Sequence, residues 1–200
     1  LNMIVDQTTI TRDVKTALLE DMGQGDITAT LIPEQTTASA TVICREQAIL
    51  SGTAWFDEVF HQLDTNIDIK WHATDKERIT PNQLVGEIRG LARPILTGER
   101  TALNFLQTLS GTATSVAEYI ELIKDTPCKI LDTRKTIPGL RLAQKYAVSC
   151  GGGINHRLGL YDAILIKENH ILAAGSIHNA VTQAKQTGLP IEVEVESMAE

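Results

Sequence analysis

The residues with the most capacity for chemistry lie between positions 132 and 196. Asp132-Thr133-Arg134-Lys135-Thr136 sets an arginine beside a lysine. A guanidinium offers a planar fork matched to carboxylate or phosphate, and an ammonium adds a compact charge, so the pair could hold two anionic groups at once. Two exposed loop charges are the competing reading. Next comes Gly151-Gly152-Gly153-Ile154-Asn155-His156-Arg157. Three successive glycines cost conformational entropy and imply a backbone need: amides that meet a ligand, or a second chain segment that passes close by. His156 and Arg157 would then stand at a pocket mouth; a core histidine and a surface arginine are the alternative. Lys167 ends the apolar run Ala163-Ile164-Leu165-Ile166. An unpaired buried ammonium is costly, so this lysine must meet an anion or snorkel to water. His170 reads as a supporting or structural group. In the stretch 191–196, alternation puts Ile191, Val193 and Val195 on one face and Glu192, Glu194 and Glu196 on the other. Such a face is either the wet side of an edge strand or a set of acids that offsets the cations and meets sugar hydroxyls or a metal-linked ligand.

The charge of the chain is unevenly placed. Six basic residues (Arg134, Lys135, Arg141, Lys145, Arg157, Lys167) stand against one acid, Asp162, between positions 134 and 167, so that segment carries +5 within a chain of net charge -7. Solvated helix faces are the ordinary meaning of such a run. The overall acidity and only eight aromatic residues (two Trp, three Tyr, three Phe) argue against a nucleic-acid surface, which needs a basic face to displace counterions. No apolar run approaches the ~20 residues that cross a bilayer, and residues 1–30 show no signal-peptide layout, so neither a membrane nor a secretory route is expected. Cys44, Cys128 and Cys150 lie far apart, without metal-ligand spacing, and read as free thiols of a cytoplasmic protein. The chain has no GxxxxGK[ST], GxGxxG after a strand, HExxH or GxSxG, which removes support from P-loop, dinucleotide-binding, zinc-protease and serine-hydrolase readings.

The elements that must position these residues follow from periodicity. A helix is predicted over residues 11–21, with Val14, Ala17 and Leu18 on one face and Gly23 as its stop. Strands are predicted within 38–50, around 67–71 and over 84–89, and a helix carries Phe56, Val59, Phe60 and Leu63 at i, i+3, i+4, i+7. These make a mixed sheet with helices. A long helix should run from Pro94 to about Lys124, with a break near Gly111. Beyond it come a strand at 129–133, a helix from Pro138 to Ser149, a strand at 162–167, a helix capped by Ser176, and a strand at 190–196. Strand, helix, strand at this spacing implies βα units and a parallel sheet, open or closed into a barrel. Ser197 and Glu200 form a capping-box pattern at the very end, and three strands cannot close a barrel of about eight. The expectation is a chain that continues beyond Glu200, with some site groups in the continuation.

Four motifs together carry a resemblance. Gly98-Glu99-Arg100-Thr101-Ala102-Leu103-Asn104, then Asp132 to Thr136 with Pro138-Gly139-Leu140-Arg141, then Gly151 to Arg157, then Ile166-Lys167-Glu168-Asn169-His170 are similar, in order and spacing, to the quinolinate phosphoribosyltransferase family. The resemblance implies an α/β fold of the type II phosphoribosyltransferase kind: an N-terminal α/β sandwich domain (1–111), then an incomplete α/β barrel (112–200) truncated within the barrel. It implies transfer of phosphoribose from 5-phosphoribosyl-1-pyrophosphate to quinolinate with loss of CO2, giving nicotinate mononucleotide in de novo NAD biosynthesis. By the same resemblance Arg134, His156 and Arg157 hold quinolinate carboxylates with Thr133 beside them, and Lys135 and Lys167 line the pocket between quinolinate and phosphosugar. Glu194 meets ribose hydroxyls and Mg²⁺, with Lys135, Lys167 and Glu194 as the catalytic groups. The Mg²⁺ cofactor is expected mainly through the phosphosugar. Arg100 is implied to reach the site of a partner subunit in a homodimer, with higher oligomers left open. The 200-residue chain alone is expected to be inactive. A related nicotinate phosphoribosyltransferase that releases no CO2, and a non-catalytic fragment that binds phosphorylated metabolites, are the alternatives.

Overall fold

The computed structural model describes residues 3–197 and divides into two compact units. The first holds the residues up to Asp132 together with Thr136–Asn155, and the second holds Thr133–Lys135 and the residues from His156 onward.

In the first unit, α1 (Gln7–Met22) starts earlier than periodicity suggested, because the Asp6 carboxylate accepts a 2.9 Å hydrogen bond from the Thr9 amide and caps the first turn. The strands β1 (Thr37–Ile43), β3 (Asp68–Trp71) and β5 (Leu84–Leu91) form an antiparallel sheet in the order β1-β5-β3, and β2 (Ala48–Ile49) pairs antiparallel with β4 (Arg78–Ile79). The expected mixed sheet is therefore corrected to antiparallel, and the two-residue β4 carried no periodic signal. Between β2 and β3, α2 (Thr53–Leu63) begins at Gly52, whose φ of 103° and close approach to Leu109 exclude a side chain. Asp75 caps this helix from a distance, accepting from the amides of Gly52 (2.9 Å) and Thr53 (3.2 Å).

The helix α3 (Ala92–Ile123) runs 32 residues without the break expected at Gly111. One glycine costs a helix only about 1 kcal/mol, and the flanking face supplies far more by burying Phe105, Leu106, Leu109 and Ala113. Those residues join Val14 of α1, Trp55, Phe56, Val59 and Phe60 of α2, and Val85 and Ile88 of β5 in one core. Ala143, Ala147 and Cys150 of α4 (Arg141–Cys150) complete it. Helix α4 does not begin at Pro138; Pro138 and Gly139 instead form a turn, closed by the Leu140 amide on the Ile137 carbonyl at 3.1 Å, with Gly139 at φ 84°. The strand expected over 129–133 is likewise corrected. Among the described residues one parallel bridge forms there, Leu131 to Ile154, made by the Ile154 amide on the Ile130 carbonyl (2.9 Å) and the Asp132 amide on the Ile154 carbonyl (3.1 Å).

The second unit contains the parallel pair β6 (Ile164–Ile166) and β7 (Ile191–Val193), in register Ile166 to Val193, connected through α5 (Glu168–Ala174) and α6 (Ile177–Lys185). Ser176 caps α6 as expected, accepting from the Asn179 amide at 3.1 Å. The unpredicted α5 is short, seven residues, and opens on the polar Glu168-Asn169-His170 with only Lys167 between it and β6, so it carries little helical periodicity. The small core of this unit buries Ile166 of β6 with Ala180 and Ala184 of α6, and Ile164, Val181, Ile191 and Val193 pack around them. Of the expected capping box, Ser197 is exposed and Glu200 lies outside the described residues.

Candidate active site

Parallel strands place ligand-binding groups just past their carboxyl ends. Lys167 follows β6 and Glu194 follows β7, and the Glu194 amide extends the ladder by donating to the Ile166 carbonyl at 2.8 Å. This register sets the two side chains face to face: Lys167 Nζ lies 2.8 Å from Glu194 Oε2. Lys167 thus meets an anion, one of the two outcomes its position allowed. The hydrogen bond and charge of Lys167, with a contribution from Lys135, hold the Glu194 carboxyl below its ordinary value of 4.5. Both side chains stay about half exposed, which leaves them open to a ligand.

Thr133, Arg134 and Lys135 belong to the same compact unit. Thr133 Oγ1 accepts from the Lys135 amide at 3.0 Å, a local turn that fixes the path of the loop. Arg134 is half-buried, whereas Lys135 is exposed. His156 Nε2 lies 2.7 Å from Glu192 Oε2, and Arg157 Nη1 donates to the Ala163 carbonyl at 3.4 Å. Thr133, Arg134, Lys135, His156, Arg157, Lys167 and Glu194 are therefore gathered in one unit. Arg100 is not among them; it is exposed on α3 of the first unit.

The triple glycine answers a packing need. A Cβ on Gly151 would come within 2.3 Å of the Ala113 carbonyl of α3, and one on Gly153 within 2.6 Å of Val148. All three glycine amides are already used, donating to the carbonyls of Ala147, Ser149 and Val148. Of the two explanations, close passage of a chain segment holds, and amides offered to a ligand do not.

Sequence reasoning missed one group altogether. Lys145, counted with the basic segment, is fully buried and ion-paired with Asp132, itself only 5% exposed. Asn155 Nδ2 bridges the pair, donating to Asp132 Oδ2 at 2.7 Å and to the Lys145 carbonyl at 2.8 Å. Removing one partner of such a pair costs about 3–5 kcal/mol, since a buried charge is left behind. The only available signal was the place of Asp132 and Asn155 immediately ahead of Thr133 and His156. His170 is a backbone cap, with Nδ1 accepting from the Lys167 amide at 3.0 Å. Cys44, Cys128 and Cys150 are free thiols.

Among the described residues no three metal-ligating side chains converge, and no helix is long and apolar enough to cross a membrane. A single ionised, half-exposed carboxylate such as Glu194, paired with Lys167, nevertheless suits Mg²⁺, which keeps several waters and takes one or two carboxylates beside substrate phosphates.

Fold and site define an α/β protein with paired charges at the carboxyl ends of parallel strands and further cations on neighbouring loops. Residues 26–110 match the quinolinate phosphoribosyl transferase N-terminal domain, and residues 112–200 match the C-terminal domain. The nicotinate-nucleotide pyrophosphorylase from Francisella tularensis is 50% identical and superposes with a TM-score of 0.95, covering 98% of this chain and 71% of that one. NadC from Streptococcus pyogenes gives 41% identity and a TM-score of 0.93 over the same shares. The probable nicotinate-nucleotide pyrophosphorylase (carboxylating) of Bacillus subtilis (strain 168) is 43% identical over 182 residues, 90% of this chain. The chain spans 63% of the length of that relative. It belongs to the quinolinate phosphoribosyltransferase family, and the expected α/β fold, an N-terminal domain followed by a barrel-like one, is the family's.

Proposed function

We propose that the protein transfers phosphoribose from 5-phosphoribosyl-1-pyrophosphate to the ring nitrogen of quinolinate, with decarboxylation to nicotinate mononucleotide, a step of de novo NAD biosynthesis. The observation that carries this reading is the gathering of Arg134, Lys135, His156, Arg157 and the Lys167–Glu194 pair in one unit. Quinolinate is a dianion and the phosphosugar carries several more charges, so both need cations to share a pocket. Arg134, His156 and Arg157 serve the quinolinate carboxylates, with Thr133 beside them. Lys135 and Lys167 stand between quinolinate and phosphosugar. Arg100, exposed on α3, is assigned to the site of a second copy in a homodimer.

In the transfer the nitrogen lone pair forms the bond to ribose C1 while the bond from C1 to the pyrophosphate oxygen breaks, its electron pair leaving with pyrophosphate. C1 becomes oxocarbenium-like, and the Glu194 carboxylate, held ionised by Lys167, stabilises that charge. The glycosylated nitrogen is then cationic. It draws the electron pair of the adjacent carbon–carboxylate bond as CO2 departs, and the ring carbon takes a proton from water. The guanidinium groups hold the other carboxylate throughout. Mg²⁺, bound through the phosphosugar and Glu194, would neutralise the departing pyrophosphate.

A cytoplasmic setting belongs to the same reading, supported by the three free thiols. The test supplies full-length protein with quinolinate, 5-phosphoribosyl-1-pyrophosphate and Mg²⁺ and follows both products. Equimolar CO2 and pyrophosphate are expected. Pyrophosphate without CO2 would indicate a transferase that does not decarboxylate, and phosphosugar binding without pyrophosphate a non-catalytic protein; either rejects the proposal.

A further inference from the structure

We infer that the first turns of α4 act as a positioning element for the anion-binding segments, with Lys145 at its centre. Arg141, Gln144 and Lys145 stand at i, i+3 and i+4 and share one helix face. Arg141 Nε donates to Thr136 Oγ1 at 3.2 Å, and Gln144 Oε1 accepts from the Ile137 amide at 2.7 Å. Lys145 pairs with Asp132, and its carbonyl accepts from Asn155. The anchored residues bound the functional ones: Asp132 and Thr136 enclose Thr133-Arg134-Lys135, and Asn155 immediately precedes His156-Arg157. One helix face thus fixes both ends of one cation-bearing segment and the start of the other.

A stability role alone does not account for this arrangement. A buried ion pair contributes little over apolar residues of the same volume, because desolvation offsets the attraction. What it adds is directional: the ammonium, the carboxylate and the Asn155 amide have one mutual geometry that satisfies all three, and methionine in place of lysine would pack without enforcing it. A catalytic site needs such enforcement, since a displacement of about 1 Å can cost roughly 100-fold in rate.

This inference rests on the reading that the two segments grip quinolinate, and its test keeps the two apart. Full-length protein is prepared as wild type, as the double variant Lys145→Met/Asp132→Leu, as Gln144→Ala, and as Lys124→Met at the exposed end of α3. Melting temperature, kcat and KM for quinolinate are read for each. The double variant removes both buried charges together and should keep a near-native melting temperature. Its KM for quinolinate is expected to rise about tenfold and its kcat to fall about as much, a combined loss of roughly 100-fold. Gln144→Ala, which exposes no buried charge, should raise KM about fivefold, and Lys124→Met should change neither constant. Should the double variant fail to fold, Gln144→Ala decides alone. Folded variants with wild-type KM and kcat overturn the positioning role while leaving the proposed reaction intact. A wild-type protein without turnover overturns the reaction and this inference with it.

Discussion

The two units of this chain solve different physical problems. The first is built on aromatic and branched side chains: Trp55, Phe56, Val59, Phe60, Val85 and Leu109 are almost wholly removed from water, and Phe56 packs edge-on against both Phe60 and Trp71. The second buries Ile166, Ala180 and Ala184, and spends its sequence instead on charged side chains held half-exposed at strand ends. The difference teaches that apolar burial and half-exposed charge are assigned to separate stretches of the chain. Substitutions in the aromatic core of the first should act on stability, and substitutions at the strand ends of the second on turnover.

The largest effect expected from this contrast is in the aromatic core. Phe60→Ala should cost about 3–5 kcal/mol, read as a lowered denaturant midpoint, with the activity of the remaining folded molecules unchanged. Equal losses of stability and of activity per folded molecule would blur the division between the units. Lys167→Met should do the reverse in the full-length protein. Under the proposed reaction the Lys167 charge stands at the reacting centre, and its loss is expected to lower kcat by about 100- to 1000-fold, while the melting temperature stays near wild type because the side chain is 43% exposed. A variant with wild-type kcat would remove Lys167 from the chemistry.

A smaller effect concerns pH. The Glu194 carboxyl titrates below its ordinary 4.5, chiefly through the hydrogen bond and charge of Lys167. A carboxylate with a lowered folded-state value contributes its stabilisation above the unfolded value and loses it as pH falls through the folded one, so the pair should open only below pH 4.5. Carbon-13 NMR of labelled Glu194 should follow this, and Lys167→Met should move the titration upward; an unmoved titration would show that Lys167 does not set it. The smallest effect separates two thiols. Cys128 is exposed, whereas burial raises the Cys150 thiol above its ordinary value. A thiol reagent at pH 8 should modify Cys128 quickly and Cys150 only on unfolding, and equal rates would contradict the packing of α4.

The first unit was more legible than the second for reasons visible in particular residues. Phe56, Val59, Phe60 and Leu63 repeat at helical spacing, so α2 could be read directly, and the apolar face of α3 outweighed the warning given by Gly111. Pairing partners could not be read in the same way. Whether β1, β3 and β5 run parallel or antiparallel depends on contacts between residues such as Ala40 and Ile88, far apart in the chain. The same limit hid the fate of the charges. Lys145 and Asp132 are 13 positions apart, and His156 and Glu192 are 36 apart. From composition the basic segment read as a field of available cations, yet Lys145 is buried in the packing of α4. The triple glycine was recognised as a backbone requirement, but its cause, the carbonyl of Ala113, lies on another helix.

The central claim is that the cations of the second unit grip a doubly acidic pyridine. Calorimetric affinities of full-length protein for quinolinate and for its mono-acid analogue nicotinate, in wild type and Arg134→Ala, test it most directly. The account predicts that wild type favours quinolinate by about tenfold or more and that Arg134→Ala loses that preference, since a charge-assisted hydrogen bond is worth that much. Equal affinity for the two acids in the wild type, or an Arg134→Ala variant that keeps the preference within a factor of about two, would contradict it.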